Sequence, residues 1–255
     1  MSRFLLLYSD VGSAETIPVD PGSLSPNNHL DETGARSPTN WTCDVTGDSF
    51  GDGGATSYYP FTQNSLAYYQ TDAGFTPFFR NDSTNWFTSN ATNFSFVIVH
   101  KTTAAGSTEQ QRIFWQTSDD AQAFWEVRKW TDLYPYYRAI DDSANQMFVN
   151  DTYPLNDNTW YITIMTVDQT ASAGELTVYQ STGNKLSTTS ASWVPSNYNG
   201  GLSGTFLNGG GGANSSWCGV AEIAFYNDKI LTLGEANSIG AWLADKWDIT
   251  WVDNT

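Results

Sequence analysis

The sequence predicts an all-β fold, two packed antiparallel sheets closed by one C-terminal α-helix. Three observations predict it. Short runs with alternating side chains recur at close intervals, the pattern of strands with two distinct faces. The composition is that of a turn-rich β-protein, with 21 Gly, 11 Trp, 13 Tyr and 14 Phe but only 15% charged residues. The segment 218–250 reads as one strand, a turn and one amphipathic helix. A chain of 255 residues can bury a large core within one sandwich.

Residues 1–40 are expected as an N-terminal arm or edge segment, and 41–255 as the sandwich domain. Pro18, Pro21, Pro26 and Pro38 are four of the nine prolines. With Gly12, Gly22 and Gly34 they exclude a regular helix or central strand from 10–40. The apolar Phe4–Leu7 reads as an edge strand or as a hook for a partner. Tyr58, Tyr59, Tyr68 and Tyr69 follow in an irregular region. The run 112–117 puts Ile113 and Trp115 on one face. In 123–130, Trp125 and Val127 share a face, and Phe124, Glu126, Arg128 and Trp130 the other. Residues 134–141 follow at hairpin distance. The run 159–167 is apolar on both faces, as a central strand should be. Gly209–Gly212 is a flexible turn with no phosphate-cradling pattern around it.

In the closing strand, Ala221, Ile223 and Phe225 are expected on one face, and Val220, Glu222, Ala224 and Tyr226 on the other. Asn227 and Asp228 suit a turn. Thr232 with Glu235 three residues later forms a capping box for a helix over 233–246. Ala236, Ile239, Leu243 and Trp247 then share one helical face, with Trp242 beside it. Glu235 in the first turn and Lys246 in the last suit the helix dipole.

The run from Trp217 to Trp247, with its Cys-Gly-Val-Ala-Glu-Ile-Ala-Phe-Tyr-Asn strand and its Leu-Thr-Leu-Gly-Glu helix start, resembles the closing segment of concanavalin A-like, laminin-G-like jelly rolls. Residues 93–102 resemble an early core strand of that family, and 158–168 with 174–186 its central hairpin. The resemblance spans about residues 75–250 and implies a jelly-roll sandwich of the kind found in tailed-phage virion proteins. The family hosts lectins, hydrolases, lyases and passive modules alike. Its first and last strands are often neighbours. That would allow Cys43 and Cys218 to pair, the alternative being two buried thiols.

The net charge of −16 opposes binding to phosphate backbones or to anionic membranes. No apolar run is long enough to span a bilayer, and the opening lacks the apolar stretch and cleavage site of a signal peptide. The Asn-x-Ser/Thr triplets at Asn40, Asn81, Asn90, Asn93, Asn150 and Asn214 are then read as by-products of composition. His29 and His100 with two cysteines do not make a structural zinc pattern. No cofactor is expected. Calcium is the one candidate, with oxygen ligands from Asp141, Asp142, Asn150 and Asp151 but no EF-hand spacing.

Jelly-roll glycosidases need two carboxylates across the scissile bond, placed on a strand as residues two apart. No such run occurs. Glu126 and Glu222 each stand alone on their strands. No Gln-x-His element accompanies His100, and no Gly-x-Ser-x-Gly elbow exists. Binding is the stronger reading. Trp125, Trp130, Tyr134, Tyr136 and Tyr137 interleave with Arg138, and aromatic faces stack on sugar rings while arginine bonds hydroxyls. The alternative is that Trp125 and about half the tyrosines are core.

The expected function is therefore a non-catalytic structural or binding module. It is read as a phage virion decoration, spike or fibre protein that contacts glycans. Its partners would be capsid or tail proteins, or copies of itself, reached through the N-terminal arm, with polysaccharide as ligand, at a virion surface. The alternatives are a cellular carbohydrate-binding module or lectin outside the cell, and a jelly-roll glycoside hydrolase or lyase.

Overall fold

The computed structural model describes residues 18–31, 36–37, 40–47, 49–52, 58–71, 79–81, 93–102, 111–118, 123–129, 135–140, 146–151, 155–156, 158–168, 173–190, 202–207 and 218–255. Among them lie two antiparallel sheets and one long helix. The chain is thus an all-β sandwich with a C-terminal helix.

The first sheet has the order β15-β14-β13-β8-β17-β6-β5, with β1 also paired to β17. These strands are β1 (Asn28–Leu30), β5 (Tyr58–Gln63), β6 (Leu66–Thr71), β8 (Phe94–Thr102), β13 (Trp160–Asp168), β14 (Gly174–Gln180), β15 (Lys185–Ser190) and β17 (Cys218–Asn227). The second sheet runs β12-β11-β10-β9-β16-β7-β4-β3-β2. It contains β2 (Arg36–Ser37), β3 (Asn40–Thr42), β4 (Ser49–Asp52), β7 (Phe79–Asn81), β9 (Gln111–Ser118), β10 (Ala123–Lys129), β11 (Pro135–Ile140), β12 (Gln146–Asn150) and β16 (Leu202–Leu207). The runs expected as strands at 112–117, 123–130, 134–141 and 159–167 correspond to β9, β10, β11 and β13, and β13 pairs with β14 as the resemblance implied.

The centre of the first sheet is buried on both faces. One face meets the second sheet through Phe94, Phe96, Ile98, Met165, Val167, Leu176 and Val178, with Tyr137, Ala139 and Met147 opposite. The other face is covered by the helix α1 (Leu233–Trp247) through Val97, Val99, Ile162, Ile164 and Ala224. This third layer explains why β8 and β13 carry apolar residues on both faces: the middle of neither strand faces water. The Thr232–Glu235 capping box forms as expected. Ala236, Ile239, Leu243 and Trp247 are fully buried, and Trp242 packs beside them.

The expected face of Ala221 is corrected. A β-bulge interrupts the β17–β8 register between Val220 and Glu222. The extra residue shifts the alternation. Ala221 therefore joins Ala224 and Tyr226 on the helix side, and Val220 joins Ile223 and Phe225 between the sheets.

Within the segment expected as an N-terminal arm or edge segment, residues 18–31 pack on the body. A short 3-10 turn at Pro21–Leu24 is capped by Asp20. β1 then pairs with β17, His29 opposite Ala224 and Leu30 opposite Ile223, and Leu30 is fully buried. The Tyr226 hydroxyl donates to the Pro21 carbonyl at 2.8 Å. Prolines 21 and 26 flank β1 and leave its three residues able to pair. Phe4–Leu7 lies outside the described residues.

Cys43 is a free, buried thiol rather than half of a disulfide. Its Sγ accepts the His29 amide at 3.3 Å. That bond satisfies a backbone donor where β1 passes the start of the second sheet.

Candidate functional site

The space between the sheets is apolar at one end and polar at the other. Along β8 the inward positions run Phe94, Phe96, Ile98 and then His100. On β13 they run Val167, Met165, Thr163 and Tyr161, and on β14 Leu176, Val178 and Gln180. Register places His100 opposite Tyr161 and Thr163 opposite Gln180, so the polar groups share one end. Gln180 Nε2 donates to the Tyr137 hydroxyl at 2.5 Å, joining the two sheets. His100 Nε2 lies 3.0 Å from Thr163 Oγ1. Burial lowers the His100 pKa to about 3, so the ring is neutral, and its Nδ1 has no partner. Burial also raises the Tyr137 pKa, which keeps that hydroxyl protonated. Asp151 and Leu155 close a cavity here of about 10 Å³, the scale of one water.

Tyr161 and Thr182 line both this cavity and a groove outside it of about 530 Å³. That volume is within the range of about 300–1,000 Å³ usual for ligand sites. One wall is the lead-in to β13, with Asn156, Asn158, Thr159 and Trp160. The opposite wall is the tail after α1, Asp248 to Thr250 and Val252, with Ser181 and Thr182 of the β14–β15 turn between them. The Tyr161 hydroxyl accepts the Asn156 amide at 2.7 Å and so fixes the lead-in.

Both walls are rigidly supported. Trp160 meets the Tyr68 ring edge-on at 4.7 Å between centroids. Lys101 Nζ lies 5.3 Å from the Trp160 centroid and donates to the Tyr68 hydroxyl at 3.0 Å. Gly219 lies beneath them, and a Cβ there would come within 3.1 Å of Tyr68 and 3.3 Å of Trp160. The tail is clamped by the buried Asn254. Its Oδ1 accepts the Gln180 amide at 3.2 Å, and its Nδ2 donates to the Gln180 carbonyl at 3.1 Å. Its main chain bonds the Asn237 side chain twice, at 2.9 and 3.0 Å.

On the far side of the Asp248–Thr250 ridge lies a second hollow of about 490 Å³. Asp248, Ile249 and Thr250 line both hollows. Trp251 lines the second, together with Asp245 and Asp253. Its ring rests on Gly240, whose added Cβ would stand 2.2 Å from the indole.

A separate buried cluster joins β1, β17 and α1. His29 Nε2 is 3.0 Å from Glu222 Oε1, and its Nδ1 is 3.1 Å from Asp44 Oδ2. Lys246 Nζ is 2.7 Å from Glu222 Oε2 and 3.7 Å from Asp31. The Trp247 indole donates to the same Glu222 oxygen at 2.9 Å. Burial alone would lower the His29 pKa. The hydrogen bond and charge of Glu222, then the charges of Asp44 and Asp31, outweigh it and raise the value to about 9. His29, Asp31 and Glu222 bring ligand atoms within 4.8 Å of one another, close enough for a metal. The set does not fit one. A metal needs a neutral imidazole nitrogen, whereas His29 is protonated and both its nitrogens face carboxylates. The cations beside Glu222 are His29 and Lys246. Glu222 is therefore a fully occupied structural anion.

The six residues expected to bind glycan are not brought together as a described surface. Tyr137 is corrected to the core, where it is fully buried, because strand alternation points it between the sheets. Arg138, one residue on, is partly exposed. Trp125 and Tyr136 lie on β10 and β11, with Trp125 opposite Ala139 and Tyr136 opposite Arg128. Trp130 and Tyr134 lie outside the described residues. Of the calcium candidates, Asn150 is exposed while Asp151 is buried at the cavity, and Asp141 and Asp142 lie outside the described residues. Sequence reasoning missed Trp160 because it counted that residue as one more core position. The signal present was the Asn-Asp-Asn-Thr stretch directly before it, a turn that ends burial.

No family model matches the chain, and no curated protein matches it. Among solved structures it is similar to the botulinum neurotoxin type G receptor binding domain, with a TM-score of 0.57 at 11% identity over 86% of this chain and 51% of that one. It is similar to the binding domain of Paraclostridial Mosquitocidal Protein 1, with a TM-score of 0.61 at 11% identity over 85% and 51%. It is also similar to Trypanosoma rangeli sialidase, with a TM-score of 0.54 at 12% identity over 88% and 33%. At these identities the likeness is one of fold. The chain spans about half the length of the two binding domains.

Proposed function

We propose that the protein is a non-catalytic glycan-binding module whose site is the groove beside Trp160. The observation that carries this reading is the pairing of a braced, half-buried indole with a wall of short hydroxyl and amide side chains. An indole face stacks on the apolar face of a sugar ring, and Asn158, Thr159, Thr182 and Thr250 supply bonds to its hydroxyls. Two of the fold's solved neighbours bear names of binding domains, which supports binding over catalysis. So does the fate of Glu222, which is sealed among His29, Lys246 and Trp247 and has no access to substrate.

Retention on immobilised polysaccharide tests the proposal. Trp160→Ala and Thr250→Arg are expected to weaken retention at least about tenfold, the factor that one lost stacking or bonding contact of about 1.4 kcal/mol gives. The melting temperature identifies any variant that has merely unfolded. Undiminished retention in both folded variants would reject the groove in favour of the 125–138 segment, with Trp130 and Tyr136 as the next residues to alter. The protein is also expected to release no reducing sugar from what it retains. Turnover abolished by Glu126→Gln or Glu222→Gln would show an enzyme.

The finer proposal is display on a virion, with the Phe4–Leu7 segment as the contact to a capsid or tail protein or to another copy. Its support is the acidic, lysine-poor composition and the jelly-roll resemblance. Mass spectrometry of purified particles checks it.

A further inference from the structure

Resting on the groove reading, we propose that the ligand is an uncharged glycan chain that crosses the Asp248–Thr250 ridge and occupies both hollows. Two observations carry this. The first is continuity: the two hollows are separated only by a segment that lines both, and each holds one indole, Trp160 on one side and Trp251 on the other. A single sugar fills one hollow, whereas a chain engages both indoles and gains the second contact without paying again for association. The second is charge. Among the described residues lining the first hollow, Asp248 is the one charged group, and those lining the second are Asp245, Asp248 and Asp253. Lys101, behind Trp160, is engaged with Tyr68 and the Trp160 ring.

Carboxylates accept hydrogen bonds from sugar hydroxyls. They repel sulfate, carboxylate and sialate groups, and the chain's net charge of −16 adds to that repulsion. The ridge is fixed in place by the Asn254 clamp, so both hollows are presented preformed and little ordering cost falls on binding.

Titration calorimetry with neutral gluco-, manno- and galacto-oligosaccharides of increasing length tests this, alongside sulfated and uronate oligosaccharides of matched length. Affinity for a neutral series is expected to rise at least about tenfold once the oligomer spans the ridge. That increment should vanish in Trp251→Ala, while Trp160→Ala should lose binding at every length. Because Trp251→Ala opens space above Gly240, Thr250→Arg provides a second variant that blocks the ridge from an exposed position. Length-independent affinity in the wild-type protein would overturn the two-hollow arrangement. Preference for the sulfated or uronate series would overturn the charge argument while leaving glycan binding standing. Binding to neither series would overturn the glycan reading itself and this inference with it.

Discussion

At neutral pH His29 is a buried cation and His100 a buried neutral ring, and the two give opposite pH dependence. His29 has its pKa raised from 6.5 to about 9. Its contribution to stability, on the order of 3 kcal/mol, is complete below about pH 6.5 and is lost as pH rises through 9. His100 has its pKa lowered to about 3. The unfolded chain then takes up a proton that the folded chain refuses, so stability falls as pH drops below about 6.5. Melting temperature against pH should flatten on the alkaline side in His29→Gln and on the acid side in His100→Gln. An alkaline limb unchanged in His29→Gln would show that His29 is not charged in the folded protein. The sequence made Glu222 visible as a lone acid in an apolar strand. It did not show which cations meet it, because Lys246 lies 24 positions along the chain and His29 lies 193 positions back. Only the return of β1 alongside β17 unites them.

The helix α1 was largely legible: its cap and its buried face follow from local rules, and it ends at Trp247, one residue beyond the expected 246. The same rules mislead at Gly240. By helix propensity, Gly240→Ala should stabilise by up to about 1 kcal/mol. Here the new Cβ would stand 2.2 Å from Trp251, with the ring's other neighbours clamped through Asn254. Thermal unfolding of Gly240→Ala is therefore expected to show a loss of about 1–3 kcal/mol, as overpacking does. A gain would show that the tail does not rest on the helix. Ile239→Asp should cost several kcal/mol by burying an unpaired charge between α1 and the sheet. The bulge in β17 was not legible, since alternation of side chains presumes an unbroken ladder. The tail after α1 was missed as well. A lone Asn near a chain end gives no sign that its amide will be buried with every bond made.

For the whole molecule, strands and sandwich were readable because alternation reports which face is buried. Pairing order was not, because it is set by long-range contacts between strands of similar composition. Hence the segment rich in proline reads as either an arm or an edge segment, and only the pairing of β1 with β17 shows that residues 28–30 join the first sheet. Deletion of residues 1–40 removes Leu30 from the core and His29 from Glu222 and leaves that buried acid with Lys246 and the Trp247 indole. The truncated protein should therefore lose cooperative unfolding. A cooperative transition in the truncated protein would show that β1 is dispensable.

The proposed binding site was readable only as a kind of chemistry, aromatic rings among polar groups. Its location depends on how the β13 lead-in and the tail meet. The most direct measurement follows the indole N–H signals of the protein by ¹H–¹⁵N NMR during titration with a neutral oligosaccharide. The Trp160 and Trp251 signals are assigned by their loss in Trp160→Phe and Trp251→Phe. Saturable shifts of both indoles, with the buried Trp41 and Trp247 unmoved, are the predicted result. Shifts confined to Trp125 and Trp130, or none at all, would contradict it.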